Sequence, residues 1–144
     1  MSKRICRDLK FSNKQIEIIY ALIKDHLKFK DVFNMKKSTL KRFIGMPHFE
    51  EHMALHLADC QASHGLMAAY DFIMEKYNDF EDEEIKPAPL LSGNELIEMG
   101  YKPGPLFSEI LNFIEEAQLE GDLNNAEDAR KAVLKTYPVD EYTN

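Results

Sequence analysis

The chain has no apolar run near the roughly 20 residues that a helix needs to span a bilayer, so no membrane partner is expected. Its first residues, Met1-Ser2-Lys3-Arg4, carry charge with no apolar stretch behind them, which does not read as a secretory signal. Cysteine is scarce. Cys6 and Cys60 form neither a Cys-x-x-Cys pair nor a disulfide framework, so a reduced, cytoplasmic setting is expected. There is no Gly-x-Ser-x-Gly elbow, no Walker loop and no Gly-rich dinucleotide turn. These absences remove the common serine hydrolases, P-loop enzymes and dehydrogenases, and no cofactor is expected.

What is present is an ordinary globular composition with an uneven distribution of charge. The 144 residues are 44% hydrophobic and 30% charged, which suits one domain or two small ones. The net charge of −7 would disfavour a nucleic-acid partner if it were spread evenly. Residues 1–45, however, hold twelve Lys and Arg against four acids, a balance of +8, which leaves −15 on the remainder. A basic face on an acidic molecule can draw an anionic ligand, because local potential governs what approaches a surface. Two solvated helix faces of opposite sign would give the same composition.

Strand-type alternation of β-branched residues is nearly absent and the helical period dominates, so an all-α fold is expected. It would be a bundle of short helices with a small C-terminal helical tail. Ser12-Asn13-Lys14-Gln15 reads as a capping box for a helix to about residue 28, with Ile16, Ile19, Tyr20, Ile23 and Leu27 as its apolar stripe. Ser38 reads as the cap of a short helix through Leu40, Phe43 and Ile44, ending near Gly45. Pro47 suits the first turn of a mostly interior helix from His48 to Ser63, and another amphipathic helix follows from Leu66 to Tyr77. The acidic run from Asn78 and the Pro87-Ala88-Pro89 element mark a linker. The expected organisation is therefore a body at 1–78, a linker at 79–89 and a tail domain at 90–144. Within the tail, Ser92-Gly93-Asn94-Glu95 is a second capping box. Pro105 opens a long helix closed by Gly121, a last helix spans 126–135, and the end beyond Pro138 is expected to fray.

Few residues are placed for chemistry. His48, His52, His56, Asp59, Cys60 and His64 cluster in sequence, and His52 and His56, spaced i, i+4, share a helix face as a metal pair would. Met53 stands where the zincin pattern needs Glu, and no second ligand group follows. His52 and His56 are thus only weak metal candidates, and a buried, hydrogen-bonded histidine is the commoner outcome. Cys60 has His56 one turn away but no orienting third group. Asp79 and Asp82 could attract a divalent ion weakly, or simply be solvated.

Two features suit RNA better. In residues 24–43, basic side chains alternate with aromatics, so Lys28, Lys30, Lys36, Lys37, Lys41 and Arg42 are candidate phosphate contacts, while rings could stack on bases. At least two of Phe29, Phe33 and Phe43 are expected in the core. Lys36, Lys37, Lys41 and Arg42 are all expected to be exposed, and the amides following Ser38 could add a phosphate contact. The second feature is Gly100-Tyr101-Lys102-Pro103-Gly104-Pro105, a turn into a helix where Lys102 and the Gly104 backbone could meet a phosphate. It could equally be a plain corner between helices.

The segment from Leu90 to Pro105, continued by Glu116-Ala117-Gln118-Leu119-Glu120-Gly121, resembles the tail of the bacterial tRNA nucleotidyltransferase (CCA-adding enzyme)/poly(A) polymerase family. That tail has the form Leu-x-Gly-x-Asp-Leu-Ile, Gly-x-x-Pro-Gly-Pro, then Glu-Ala-Gln-Leu-x-Gly; Asn94 replaces the usual Asp here. Met35 to Phe43, Pro47 to Glu51 and Leu55 to Gly65 are similar to the same family, so the resemblance covers most of residues 11–135. It implies a C-terminal body and tail that hold tRNA or another structured RNA while a separate head transfers nucleotides. The head's Gly-Gly-Ser-like loop and Asp-x-Asp pair have no counterpart in this chain, so no enzyme activity of its own is expected. Two alternatives stand beside that reading. One is a remnant of an HD-type metal-dependent phosphohydrolase, for which His26 alone is too little; the other is a helical protein-interaction domain.

Overall fold

The computed structural model describes residues 1–63, 65–80 and 85–139. His64, the acidic residues 81–84 (Asp82 among them) and the end beyond Val139 lie outside the described residues, and with them part of the expected linker and most of the end expected to fray. Among the described residues there are eight α-helices, one 3-10 helix and no strand, so the chain is all-α. It divides into two compact units, residues 1–35 with 42–80, and residues 36–41 with 81–144.

The first unit contains α1 (Ser2–Asp8), α2 (Asn13–Asp25), a 3-10 helix (His26–Asn34), α4 (Phe49–Ser63) and α5 (Ala68–Asp79). The capping box at Ser12 is formed: its hydroxyl accepts from the Gln15 N–H, and the Gln15 side chain accepts from the Ser12 N–H at 2.9 Å. Helix α1 is announced by no cap or apolar stripe in the sequence, and α2 stops at Asp25 where the chain tightens into 3-10 geometry. The interior is a run of rings: His56 stacks on Phe29, Phe29 meets Phe43 edge-on, Phe43 meets Phe49 edge-on, and Phe49 stacks on Tyr77. Such pairs add specific geometry to the apolar area they bury.

Burial in this unit is narrower than its apolar positions. Of the α2 stripe Ile16 is buried, yet Ile23 and Leu27 remain 45% and 52% exposed, because the packed neighbours cover only one end of the stripe. Helix α4 is not mostly interior either. Phe49, His52, Met53 and Cys60 are buried at helical spacing, while Ala54, Leu55, Ala58 and Asp59 face outward. Pro47 lies ahead of α4 rather than in its first turn. His48 occupies the cap position, with the His52 N–H donating to its carbonyl at 3.0 Å.

The second unit contains α6 (Gly93–Glu98), α7 (Pro105–Glu120) and α8 (Ala126–Thr136) around Leu91, Leu96, Tyr101, Ile110, Ile114 and Val133. Ser92 forms the expected capping box with Glu95, whose carboxylate also pairs with Arg130 at 2.9 Å. Gly100 ends α6 at φ 99°, which lets the Tyr101 N–H return to the Leu96 carbonyl at 3.0 Å. Tyr101 is thereby turned inward, and its buried hydroxyl donates to the Tyr137 carbonyl at 2.6 Å. Pro105 is the first residue of α7 and left-handed Gly121 closes it, as the sequence indicates.

Helix α3 (Lys37–Ile44) starts two residues earlier than a cap at Ser38 would set it, so Ser38 sits inside its first turn and the carbonyl of Lys36 accepts the first helical bond from Leu40.

Candidate nucleic-acid interface

The candidate residues fall on both units and are taken unit by unit. In the first, Lys28, Lys30 and Arg42 are exposed. Lys28 is paired with Asp25 at 3.0 Å, whereas Lys30 makes no ion pair or hydrogen bond among the described residues. Charge within this unit is segregated along the chain. Residues 1–35 hold eight Lys and Arg against four acids, and residues 42–80 hold two against six. Residues 1–35 thus carry a balance of +4 and residues 42–80 one of −4. The unit is therefore neutral in sum, with a cationic stretch and an anionic one.

The 3-10 helix decides which side chains look outward. With about three residues per turn, positions i and i+3 eclipse. Phe29 and Val32, three apart, are both buried, and Leu27, Lys30 and Phe33 make the parallel outward row. Phe29 and Phe43 are thus core residues, as expected of two of the three rings, and Phe33 is the one left 56% exposed.

In the second unit Lys36, Lys37, Lys102 and Gly104 are exposed, but Lys41 is not. Lys41 is 4% exposed, contrary to the expectation for that quartet. It lies three residues after buried Ser38 and three before buried Ile44, on the inward side of α3. That spacing is visible in the sequence and outweighs the residue's charge, since a lysine stem can be covered along its length. Lys41 and Arg42 also make interactions within the chain.

The start of α3 already has an anion. The Ser38 N–H donates to the Glu120 carboxylate at 2.9 Å, so one amide that a phosphate would use is taken. The Ser38 side chain and that N–H hold the Glu120 carboxyl below the usual carboxylate range. Glu116, one turn earlier on α7, lies 3.8 Å from Lys36. Lys37 has no such partner among the described residues.

Gly104 caps the opposite end of α7 in an extended conformation, with φ 171° and ψ −168°. Neither its backbone angles nor its surroundings require glycine, as a Cβ there would meet nothing nearer than the Lys102 carbonyl at 4.0 Å. The Lys36–Glu116 contact and Gly104 are separated by most of α7, on the order of 18 Å at 1.5 Å rise per residue. The two features therefore do not converge on one spot; they lie at the two ends of one helix.

No three His, Cys, Asp or Glu side chains gather into a metal-ligating group among the described residues. His52 is buried, its Nδ1 has no hydrogen-bond partner, and burial pushes its imidazole below the ordinary value. His56 is half-buried, stacked on Phe29, with Nε2 3.6 Å from the buried Cys60 sulfur. The imidazole pair is thus divided between an orphaned core histidine and a ring in the aromatic run. None of the described helices is long and apolar enough to cross a membrane.

Comparison with known proteins identifies the family. The family model described as tRNA nucleotidyltransferase domain 2 matches residues 1–134. A CC-adding tRNA nucleotidyltransferase of Thermus thermophilus is 26% identical over 129 residues, 88% of this chain and 29% of that protein. One of Synechocystis is 26% identical over 130 residues, 84% of this chain and 30% of that protein. An A-adding tRNA nucleotidyltransferase of Halalkalibacterium halodurans is 51% identical over 41 residues, 28% of this chain and 10% of that protein. No solved structure matches the chain. The chain spans less than a third of the length of these relatives. It belongs to the tRNA nucleotidyltransferase domain 2 family.

Proposed function

We propose that this chain is a tRNA-holding module without catalysis of its own, a body (1–78) joined through 79–89 to a tail (90–144), working in the cytoplasm beside a separate nucleotidyltransferase head. The observation that carries the reading is the exposure of Lys28, Lys30, Lys36, Lys37 and Arg42, all of them within the basic first 45 residues. Lys28, Lys30, Lys36, Lys37 and Arg42 would neutralise phosphates, and Lys102 with the Gly104 backbone would hold another at the start of α7. A folded RNA can be held through its backbone by distributed interactions of this kind, with little reading of bases. The printed names of the relatives, CC-adding and A-adding tRNA nucleotidyltransferases, make tRNA the ligand to test first.

The structure changes which residues best probe the reading. Lys41 is withdrawn as a phosphate contact because it is buried, and Lys36 is partly countered by Glu116. Lys30 and Lys37 are the informative pair. Their combined change to Glu is expected to weaken tRNA binding and make its log–log salt slope shallower by roughly one for each phosphate left unneutralised, with thermal stability intact. Unchanged affinity across a salt series would remove them from the interface. The Ile5, Leu9, Ile23 and Leu27 side chains, all close to half exposed or more, favour a second role for the segments from α1 to the start of the 3-10 helix as a seat for the head.

A further inference from the structure

A cavity of about 300 Å³ opens in the first unit between the 3-10 helix, α4 and the start of α5. Its lining includes Phe29, Lys30, Phe33, His56, Cys60 and Leu66. Of these residues the proposed phosphate-holding role uses only Lys30. Its composition differs from an ordinary surface dimple in three ways. One flat surface open to a ligand is the exposed ring of Phe33, beside the stack of buried Phe29 on His56, with centroids 4.1 Å apart and planes 12° from parallel. A polar edge is supplied by the His56 ring nitrogens beside the Cys60 sulfur. Lys30, exposed and with no ion pair or hydrogen bond among the described residues, also lines the cavity.

The 3-10 conformation produces this arrangement. In an α-helix, residues three apart are offset by about 60° around the axis; at three residues per turn they eclipse. Lys30 and Phe33 therefore project from the same side of the segment, a cation and a ring aligned along one edge of the cavity. Among the described rings Phe33 meets Phe72, at 5.1 Å between centroids, and most of its own surface is open to water.

We infer that this cavity takes one unpaired nucleobase of the bound RNA, stacked on Phe33, with the adjoining phosphate on Lys30. The volume is at the lower end of small-ligand sites, which run from roughly 300 to 1,000 Å³, and so suits a single heterocycle with part of its sugar. A base can stack on the open Phe33 ring, and its phosphate would meet the exposed Lys30 ammonium one 3-10 turn earlier. Any base has a π-face, so the site would favour an unstacked nucleotide with little preference among sequences. The inference rests on the RNA-binding reading and adds to it that the RNA must present at least one base outside a helix.

The test uses the full chain and a short single-stranded oligoribonucleotide with one central 2-aminopurine, whose fluorescence is quenched by stacking. Saturable quenching is expected. It should weaken about tenfold or more in Phe33→Ala, persist in Phe33→Tyr, and become less salt-sensitive in Lys30→Ala. Circular dichroism and a urea midpoint on each variant check that the fold is kept, and Phe33→Tyr preserves the test should Phe33→Ala unfold. The same proteins are titrated with tRNA in parallel. Absence of quenching, or quenching indifferent to Phe33→Ala, overturns the base site. If tRNA binding survives that result the phosphate-holding role stands without it, and if tRNA binding is also absent both readings fall.

Discussion

At the scale of single residues, two buried polar groups govern how the chain responds to its surroundings. Burial pushes the His52 imidazole below its ordinary 6.5, so the unfolded chain takes up a proton first as pH falls. The stability tied to neutral His52 is complete above about pH 6.5 and is lost as pH drops towards the lower folded value. The urea midpoint should therefore be lower at about pH 5.5 than at about pH 7.5, and His52→Leu should reduce that difference. A difference untouched by the substitution would assign the pH dependence to other groups. Lys41 gives a second residue-scale prediction. Lys41→Glu places a reversed charge at a covered site and should cost about 2–4 kcal/mol, whereas Lys37→Glu should stay within roughly 0.5 kcal/mol in the same urea titration. Expecting Lys41 at the surface gives its type more weight than its place. The spacing 38, 41, 44 is visible in the sequence, but a lysine counts as surface until the neighbouring elements are known.

At the scale of elements, the signals most legible in the sequence are those closed within a few residues. Ser12 with Gln15 and Ser92 with Glu95 form complete capping boxes because every partner lies within one turn. Gly121 and Pro105 bound α7 for the same reason. The change from α to 3-10 geometry after Asp25 is not legible, since it depends on Phe29 and Val32 finding the core at a spacing of three. The occupied start of α3 is hidden too: Glu120 is 82 residues from Ser38, and no local pattern announces that contact. Gly100 offers the element-scale test. It holds φ 99° and a Cβ there would lie 3.3 Å from Val139, so Gly100→Ala should lower stability by about 1–2 kcal/mol. Gly104→Ala, extended and open, should leave the midpoint nearly unchanged while weakening RNA binding if that backbone meets a phosphate. Equal losses of stability in the two variants would contradict this distinction.

At the scale of the whole molecule, the family is legible because its tail motif is long and continuous, from Leu90 to Gly121 with few departures. The candidate interface is only partly so. Composition locates the cations in residues 1–45, but it cannot show that Lys36 pairs with Glu116 towards one end of α7 while Gly104 caps the other. The most direct test of the tRNA-holding role is fluorescence anisotropy of labelled tRNA titrated with the full chain at several salt concentrations. Five or six phosphate contacts would give a log–log slope on the order of −4 to −5, with tRNA preferred over an unstructured oligonucleotide of equal length. No binding at low salt, or an affinity that ignores salt, would contradict the role.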